Sequence, residues 1–408
     1  MNMSSNQPTA KYFDHLVKRR GTDCVKWDEA EEGVLPLWVA DMDFETAPCV
    51  RDAVMRRAAH GVYGYNLVPE SFFKAIISWQ RERHGWSLQR DWILYTSGVV
   101  PAVSAIIKAM TSKGDGVMTF TPAYNCFFSS IRNNGCRLVD FPLTWSRENE
   151  RYSIDFEAMC KVLESERPRL LLLCSPHNPT GRVWTYDELR EIATLCAQYH
   201  VPVVSDEIHC EFVNPRIGRP FLPFGPIAEE VGCEWVVTNA PNKAFNTAGL
   251  QISYIVTPNE EFRARIDRAI NDNEVCDVNC FSFVALEAAY TGDGAEWLNG
   301  LVSYIYEGYE QFRREVTNAL PEVRIAHLEG TYLAWLDVEL LLKGGETSMQ
   351  LVQRLREEQR VWINEGELYG QGGFLRVNLA TQHSRLEEAT RRIIDGIRRT
   401  PRHRVSHK

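Results

Sequence analysis

Seven short strand-like runs, at residues 92–96, 116–120, 137–142, 170–174, 201–205, 235–238 and 252–256, all but 137–142 without a charged residue, constrain the fold of this chain more than any other feature. A strand with one wet face alternates polar and apolar residues. Runs without that alternation predict strands covered on both faces. Several are separated by helical patterns, most clearly the segment opened by Thr185 and Glu188 as a capping box, with Leu189, Ile192, Ala193 and Cys196 on one face. The expected fold class is α/β, a mainly parallel sheet covered by helices. Ligands of such sheets bind at the carboxyl ends of the strands.

Past residue 262 the pattern changes to longer helices at 262–271, 281–290 and 297–319, then strands at 323–326 and 330–337, a helix at 348–359 and a strand at 374–380. In a chain of 408 residues this predicts a second, smaller α+β unit. The expected division is a large unit at 48–292 and a small one at 293–408, joined by the N-terminal segment 1–47. That segment opens with a polar stretch, 1–9, expected to be disordered, and carries the apolar run 35–44, read as a strand leading into a loop. Helices are expected at 48–60, with Gly61 just past the end, and at 72–84. The glycine and aromatic loop between them, 60–66, reads as a binding loop.

Charge and composition exclude some function classes. A net charge of −9 argues against a general nucleic-acid binder, and the basic tail 391–408 reads as a solvated helix end and frayed terminus. Eleven cysteines include no CxxC pair; Cys276 and Cys280 fit one helix face, and Cys174 and Cys196 read as small core residues. A reducing compartment follows. With no leader pattern and no apolar run long enough to span a bilayer, the expectation is a cytoplasmic protein without membrane contact.

The chemistry gathers after the apolar runs. Lys243 is the only charged residue between Glu234 and Glu260, so its surroundings should be partly dry, which disfavours the ammonium and makes an amine nucleophilic. Ser97-Gly-Val-Val-Pro101 joins a strand to a helix expected at 102–110, a geometry whose free N–H groups bind phosphate. Asn178 and Asp206-Glu-Ile-His209 follow two further strands. An amide, a carboxylate with an imidazole, and a lysine thus emerge at one sheet edge. A buried carboxylate facing a pyridine nitrogen keeps it protonated, and a lysine condenses with an aldehyde. Each residue also has a plain reading. Tyr124 alone is a core aromatic, Asn178 a turn former before Pro179, Arg376 a salt-bridge arginine, and His60 and His177 structural. Metal ligation within Asp206-Glu-Ile-His-Cys-Glu211 is disfavoured, because alternation along a strand exit keeps three ligands from converging.

Together, Ser97-Gly98, Tyr124, Asn178-Pro-Thr-Gly181, Asp206-Glu207, Lys243 and Arg376 resemble the fold-type I pyridoxal-phosphate enzymes of the aspartate aminotransferase superfamily. More narrowly, Leu35-Pro-Leu-Trp-Val-Ala-Asp-Met-Asp43, His60-Gly-Val-Tyr-Gly-Tyr65, Cys174-Ser-Pro-His-Asn-Pro179, Phe245-Asn-Thr-Ala-Gly-Leu250 and Gly330-Thr-Tyr-Leu-Ala-Trp335 resemble the MalY/PatB-type cystathionine β-lyases, also called cysteine-S-conjugate β-lyases. The resemblance implies an aspartate-aminotransferase-like fold and pyridoxal 5'-phosphate as cofactor. It implies that Lys243 bonds the cofactor's aldehyde and later acts as base at Cα, that Asp206 pairs with the ring nitrogen, and that Asn178 and His209 lie near its phenolic oxygen. Tyr124 would stack on the ring, the N–H groups of Val99 and Val100 would hold the phosphate, and Tyr65 would reach the site of a neighbouring subunit, making a homodimer. Arg376 would pair with the substrate carboxylate, with Ala40 and Tyr124 beside it. Two departures stand out: Asn242 occupies the place of a serine that usually helps hold the phosphate, and Leu379-Ala-Thr-Gln-His383 replaces a Gly-Cys-Pro-Arg-like run. The reaction implied is β-elimination from cystathionine or a related cysteine S-conjugate. The alternatives are an aminotransferase of an α-amino acid and a non-catalytic regulator that keeps the fold.

Overall fold

The computed structural model describes residues 10–272, 277–342 and 344–399. The expectations for 1–9, for Cys276 and for the tail beyond 399 lie outside the described residues. All seven runs are strands of one sheet: β1 Ile93–Thr96, β2 Gly116–Thr121, β3 Arg137–Pro142, β4 Leu170–Cys174, β5 Val203–Asp206, β6 Trp235–Asn239 and β7 Ser253–Val256. Their spatial order is β1-β7-β6-β5-β4-β2-β3. Pairing is parallel from β6 through β5, β4 and β2 to β3, whereas β7 runs antiparallel to both β6 and β1. The reversal has a simple origin. The segment between β6 and β7 contains no crossover helix, and antiparallel neighbours can be joined without one.

Absence of alternation in β2, β4, β5, β6 and β7 matches burial on both faces, whereas the edge strand β3 leaves Arg137, Asp140 and Pro142 exposed. Leu170, Leu172 and Cys174 of β4 join Val204 and Val236 against Val103, Ile106 and Ile107 of helix Val99–Met110 and Ile266 of helix Glu260–Asn271. Leu171 and Leu173 join Val203 and Val237 on the opposite face, with Leu189, Ile192, Ala193 and Cys196 of helix Tyr186–Gln198. That helix opens with the expected capping box, both reciprocal bonds of Thr185 and Glu188 being present. Helix Val99–Met110 starts three residues before the expected 102, so Pro101 lies in its first turn, where a missing N–H costs nothing.

A second sheet holds β8 Arg324–Ile325, β9 Leu333–Asp337, β10 Asn364–Glu365 and β11 Phe374–Asn378, in the order β8-β9-β11-β10 and antiparallel throughout. The long helix Gly292–Ala319 and helices Ser348–Gln359 and His383–Arg398 accompany it. The N-terminal run is less regular than its sequence suggests. Only Leu35–Pro36 pairs, in parallel with Val361–Trp362, and residues 38–44 continue as an irregular strap between the two sheets.

Candidate active site

Chain direction puts the chemistry on one edge. Asp206 is the last residue of β5, in register with Cys174 of β4 and Thr238 of β6. Asn178 lies four residues beyond β4 and Lys243 four beyond β6. Helix Val99–Met110 begins just after β1, so its first N–H groups, those of Val99 and Val100, have no partner within the helix. Arg376 comes from the other sheet, in β11, opposite Trp335 and Asn364.

The irregular strap draws these elements together, because its carbonyls are satisfied by side chains instead of a ladder. Trp38 O accepts from Arg376 Nη2 at 2.8 Å and Asn364 Nδ2 at 3.0 Å. Val39 O and Asp41 O each accept from Asn378 Nδ2 at 2.6 Å. Ala40 O accepts from Lys243 Nζ at 2.5 Å and from the Tyr332 hydroxyl at 2.9 Å. Asn246 donates to Met42 O at 2.9 Å and Phe44 O at 2.8 Å, and Gln382 donates to Asp43 O at 2.7 Å. Every carbonyl from Trp38 to Phe44 is thereby paired. The side chain of Asp43 is buried as well; burial pushes its carboxyl up, but Lys26 at 3.1 Å, Trp27 Nε1 at 2.8 Å and Arg19 hold it below the usual range.

Within the cleft, Arg376 is 4% exposed, donates to Asn178 Oδ1 at 3.3 Å and lies over the Tyr369 ring at 4.6 Å. Its Nε has no partner, and neither has His209 Nδ1, although both atoms are buried. Burial pushes the Asp206 carboxyl up to about 7, against the Ile208 N–H at 3.1 Å and nearby Lys243. Burial, helped by Arg376, brings the Lys243 amine down to about 8. His209 is held neutral, well below its ordinary value, by burial first and then by Lys243 and Arg376. Burial and neighbouring Cys126 push the half-buried Tyr124 hydroxyl up. The cleft is shielded from solvent, and burial is the first cause of each of these shifts.

Lys243, Asp206, Asn178, His209, Arg376 and Ala40 therefore come together here, with Tyr124 within electrostatic reach of Asp206 and Arg376. Asn242 holds its own loop, donating to Ile252 O at 3.1 Å and accepting from Thr247 Oγ1 at 3.4 Å. Tyr65 is fully exposed on the loop 61–67, outside the cleft of its own chain. His177 is structural, buried with Nε2 at 2.8 Å from Pro122 O. Cys210 and Glu211 belong to another cluster with His84, in which Trp79 Nε1 at 2.7 Å and Arg83 at 3.1 Å bind the Glu211 carboxylate. Tyr332, Asn246 and Gln382 lie in runs the sequence singles out, but their part in holding the strap, and that of Asn378, was not expected from it. The available signal was polar residues inside otherwise apolar segments.

Residues 32–393 match the model of the family described as aminotransferase class I and II. The chain is 35% identical over 388 residues to cystathionine beta-lyase PatB of Bacillus subtilis, covering 93% of this chain and 98% of that protein. It is 32% identical over 395 residues to protein MalY of Escherichia coli, covering 95% and 98%. Among solved structures, the PLP-bound C-S lyase from Staphylococcus hominis superposes with a TM-score of 0.87 at 28% identity, over 94% of this chain and 98% of that one. The fold is that of the aspartate-aminotransferase-like pyridoxal-phosphate enzymes, and the chain belongs to the aminotransferase class I and II family.

Proposed function

We infer that this protein is a pyridoxal 5'-phosphate-dependent carbon–sulfur β-lyase that cleaves L-cystathionine or a related cysteine S-conjugate to pyruvate, ammonia and a thiol. The observation that carries this reading is the convergence of Lys243, Asp206, Asn178, His209 and Arg376 in one dry cleft. It occurs in a chain 35% identical to a protein named cystathionine beta-lyase.

The residues present fit the cofactor. Burial outweighs the pull of Lys243 and drives the Asp206 carboxyl up to about 7, so a protonated ring nitrogen beside it would supply the counter-charge that favours its ionised form. His209 Nδ1 is a buried polar atom without a partner. A strand, Gly98 and a helix N-terminus form a phosphate seat. When bound, pyridoxal phosphate supplies an aldehyde that takes up the amino group of the substrate and a protonated ring that draws electrons from Cα.

The side chains then have separate tasks. Lys243, with its pKa lowered to about 8, has an unprotonated fraction near neutral pH and takes the proton from Cα. Asp206 keeps the ring nitrogen protonated. Neutral His209 and Asn178 hydrogen-bond at the phenolic oxygen without adding charge. The planar fork of Arg376 pairs with the α-carboxylate of the substrate beside Ala40, and Tyr124 covers the ring. The N–H groups of Val99 and Val100 bind the phosphate, with Asn242 beside them.

The same reading makes the protein a homodimer. Val62, Tyr63, Tyr65 and Leu67 are exposed apolar residues on one loop, which supports Tyr65 reaching the partner's phosphate seat. We place it in the cytoplasm; ten free cysteines among the described residues support a reducing compartment. No helix of the described residues is long and apolar enough to cross a membrane.

The test is borohydride reduction of the cofactor-loaded protein, followed by peptide mapping. The modified lysine should be Lys243, and Lys243→Ala should lose cystathionine cleavage. Modification of a different lysine sinks the assignment. Mixing inactive Tyr65→Ala and Lys243→Ala subunits should restore activity if sites are shared, and none should return if each chain works alone.

A further inference from the structure

The Tyr332 hydroxyl shares its acceptor with the reactive lysine: both it and Lys243 Nζ donate to Ala40 O, at 2.9 and 2.5 Å. Tyr332 is fully buried and its ring is wedged edge-on against Phe212 at 4.8 Å and His209 at 5.8 Å. The backbone before it is held in a costly shape. Thr331 has φ +66°, a left-handed conformation that a β-branched residue rarely adopts. That conformation is secured by Thr331 N–H to Phe212 O at 2.9 Å, Gly330 N–H to Gly181 O at 2.8 Å and the Tyr306 hydroxyl to Thr331 O at 2.8 Å. Three elements thus aim one hydroxyl at one carbonyl of an irregular strap.

We propose that Tyr332 is a positioning residue whose hydroxyl fixes the Ala40 carbonyl as the docking acceptor for the Lys243 amine whenever that amine is not joined to the cofactor. This rests on the reading of Lys243 as the cofactor-binding lysine. A neutral amine that donates one N–H to Ala40 O keeps its lone pair free, so docking there orients the base without consuming it. The shared acceptor also sets the sign of a test. An oxygen that already accepts an O–H has less charge to offer an ammonium. Removing the hydroxyl leaves Ala40 O to the lysine alone, and hydrogen bonding to the charged form favours that form. Lys243 in a Tyr332→Phe protein should therefore stay protonated to higher pH.

The experiment is competitive acetylation with acetic anhydride across a pH series, on the full-length protein freed of cofactor, with per-lysine labelling read by mass spectrometry. For Tyr332→Phe, which keeps the ring and its packing, the Lys243 labelling profile should move up by about half a pH unit or more. In the cofactor-loaded enzyme, kcat should fall ~10-fold with KM changed less than about twofold. Tyr254→Phe, which removes a buried hydroxyl paired with Gln80 and Tyr290 and not with Ala40 or the segment of Tyr332, should leave the Lys243 profile in place. An unchanged profile in Tyr332→Phe, or an equal shift in both variants, overturns the proposal. Should Tyr332→Phe not fold, 3-fluorotyrosine at 332, a stronger donor, must shift the profile downward, and no shift refutes the role. Borohydride trapping of the cofactor on a lysine other than Lys243 would instead remove the functional reading beneath it.

Discussion

Removing the Arg376 side chain tests the substrate end of the site quantitatively. The guanidinium is 4% exposed, and its planar group is set by Asn178 Oδ1 at 3.3 Å, Trp38 O at 2.8 Å and the Tyr369 ring at 4.6 Å. In Arg376→Ala an α-carboxylate would enter the same dry cleft with no counter-charge. Truncating one partner of a buried, hydrogen-bonded charge pair costs about 2–5 kcal/mol. At ~1.36 kcal/mol per decade, kcat/KM for cystathionine should fall by roughly 30- to 5,000-fold. Arg376→Lys keeps a charge but loses the fork and the stack on Tyr369, so about 1–2 kcal/mol and a roughly 5- to 30-fold loss are expected. Thermal unfolding should change little, because Asn364 still donates to Trp38 O at 3.0 Å. The assay is steady-state pyruvate release over a range of amino-acid concentrations. A change of less than about threefold in Arg376→Ala would refute the assignment of Arg376 to the carboxylate.

Other perturbations address the remaining parts. Uptake of pyridoxal phosphate by the cofactor-free chain requires the unprotonated amine, so its rate should rise with pH through about 8 and flatten above, followed by the visible absorbance of the bound cofactor; a profile still climbing past pH 10 would contradict the lowered pKa. Asp206→Asn cannot offer a charge to the ring nitrogen, and the loss of a charge-assisted contact of about 2–3 kcal/mol should cut kcat roughly 30- to 150-fold. Gln382→Ala removes donors to Asp43 O and His15 O and leaves Asp43 O short of a partner, which should destabilise the chain by about 1–3 kcal/mol in urea unfolding.

Much of this architecture is written locally. The seven runs are the seven strands, and for all but the edge strand β3 the reason is that a run without charges has one good outcome, burial between helix layers. The carboxyl edge followed from strand direction, and Asn178, Asp206 and Lys243 fell on it because each lies at a strand end or within four residues of one. What the sequence hid is long-range. The run 35–44 has strand composition, yet beyond Pro36 its carbonyls are taken by Asn246, Tyr332, Asn364, Arg376, Asn378 and Gln382, some 200 to 340 residues away in the chain. No periodicity announces such bonds. The same geometry explains the run Leu379-Ala-Thr-Gln-His383, which departs from the expected pattern: Gln382 is fully buried and pins the strap, and the ring of His383 stacks on Tyr304 at 3.8 Å. The reversal of β7 was equally hidden, because pairing direction depends on the connection and not on strand composition.

The most direct test of the account is the product ratio from L-cystathionine, with pyruvate and free thiol followed together in the absence of any keto acid. β-Elimination predicts that the two appear in equal amounts and continue through many turnovers. Absence of pyruvate, with amino transfer appearing only once a keto acid is added, would contradict the account and make the protein an aminotransferase.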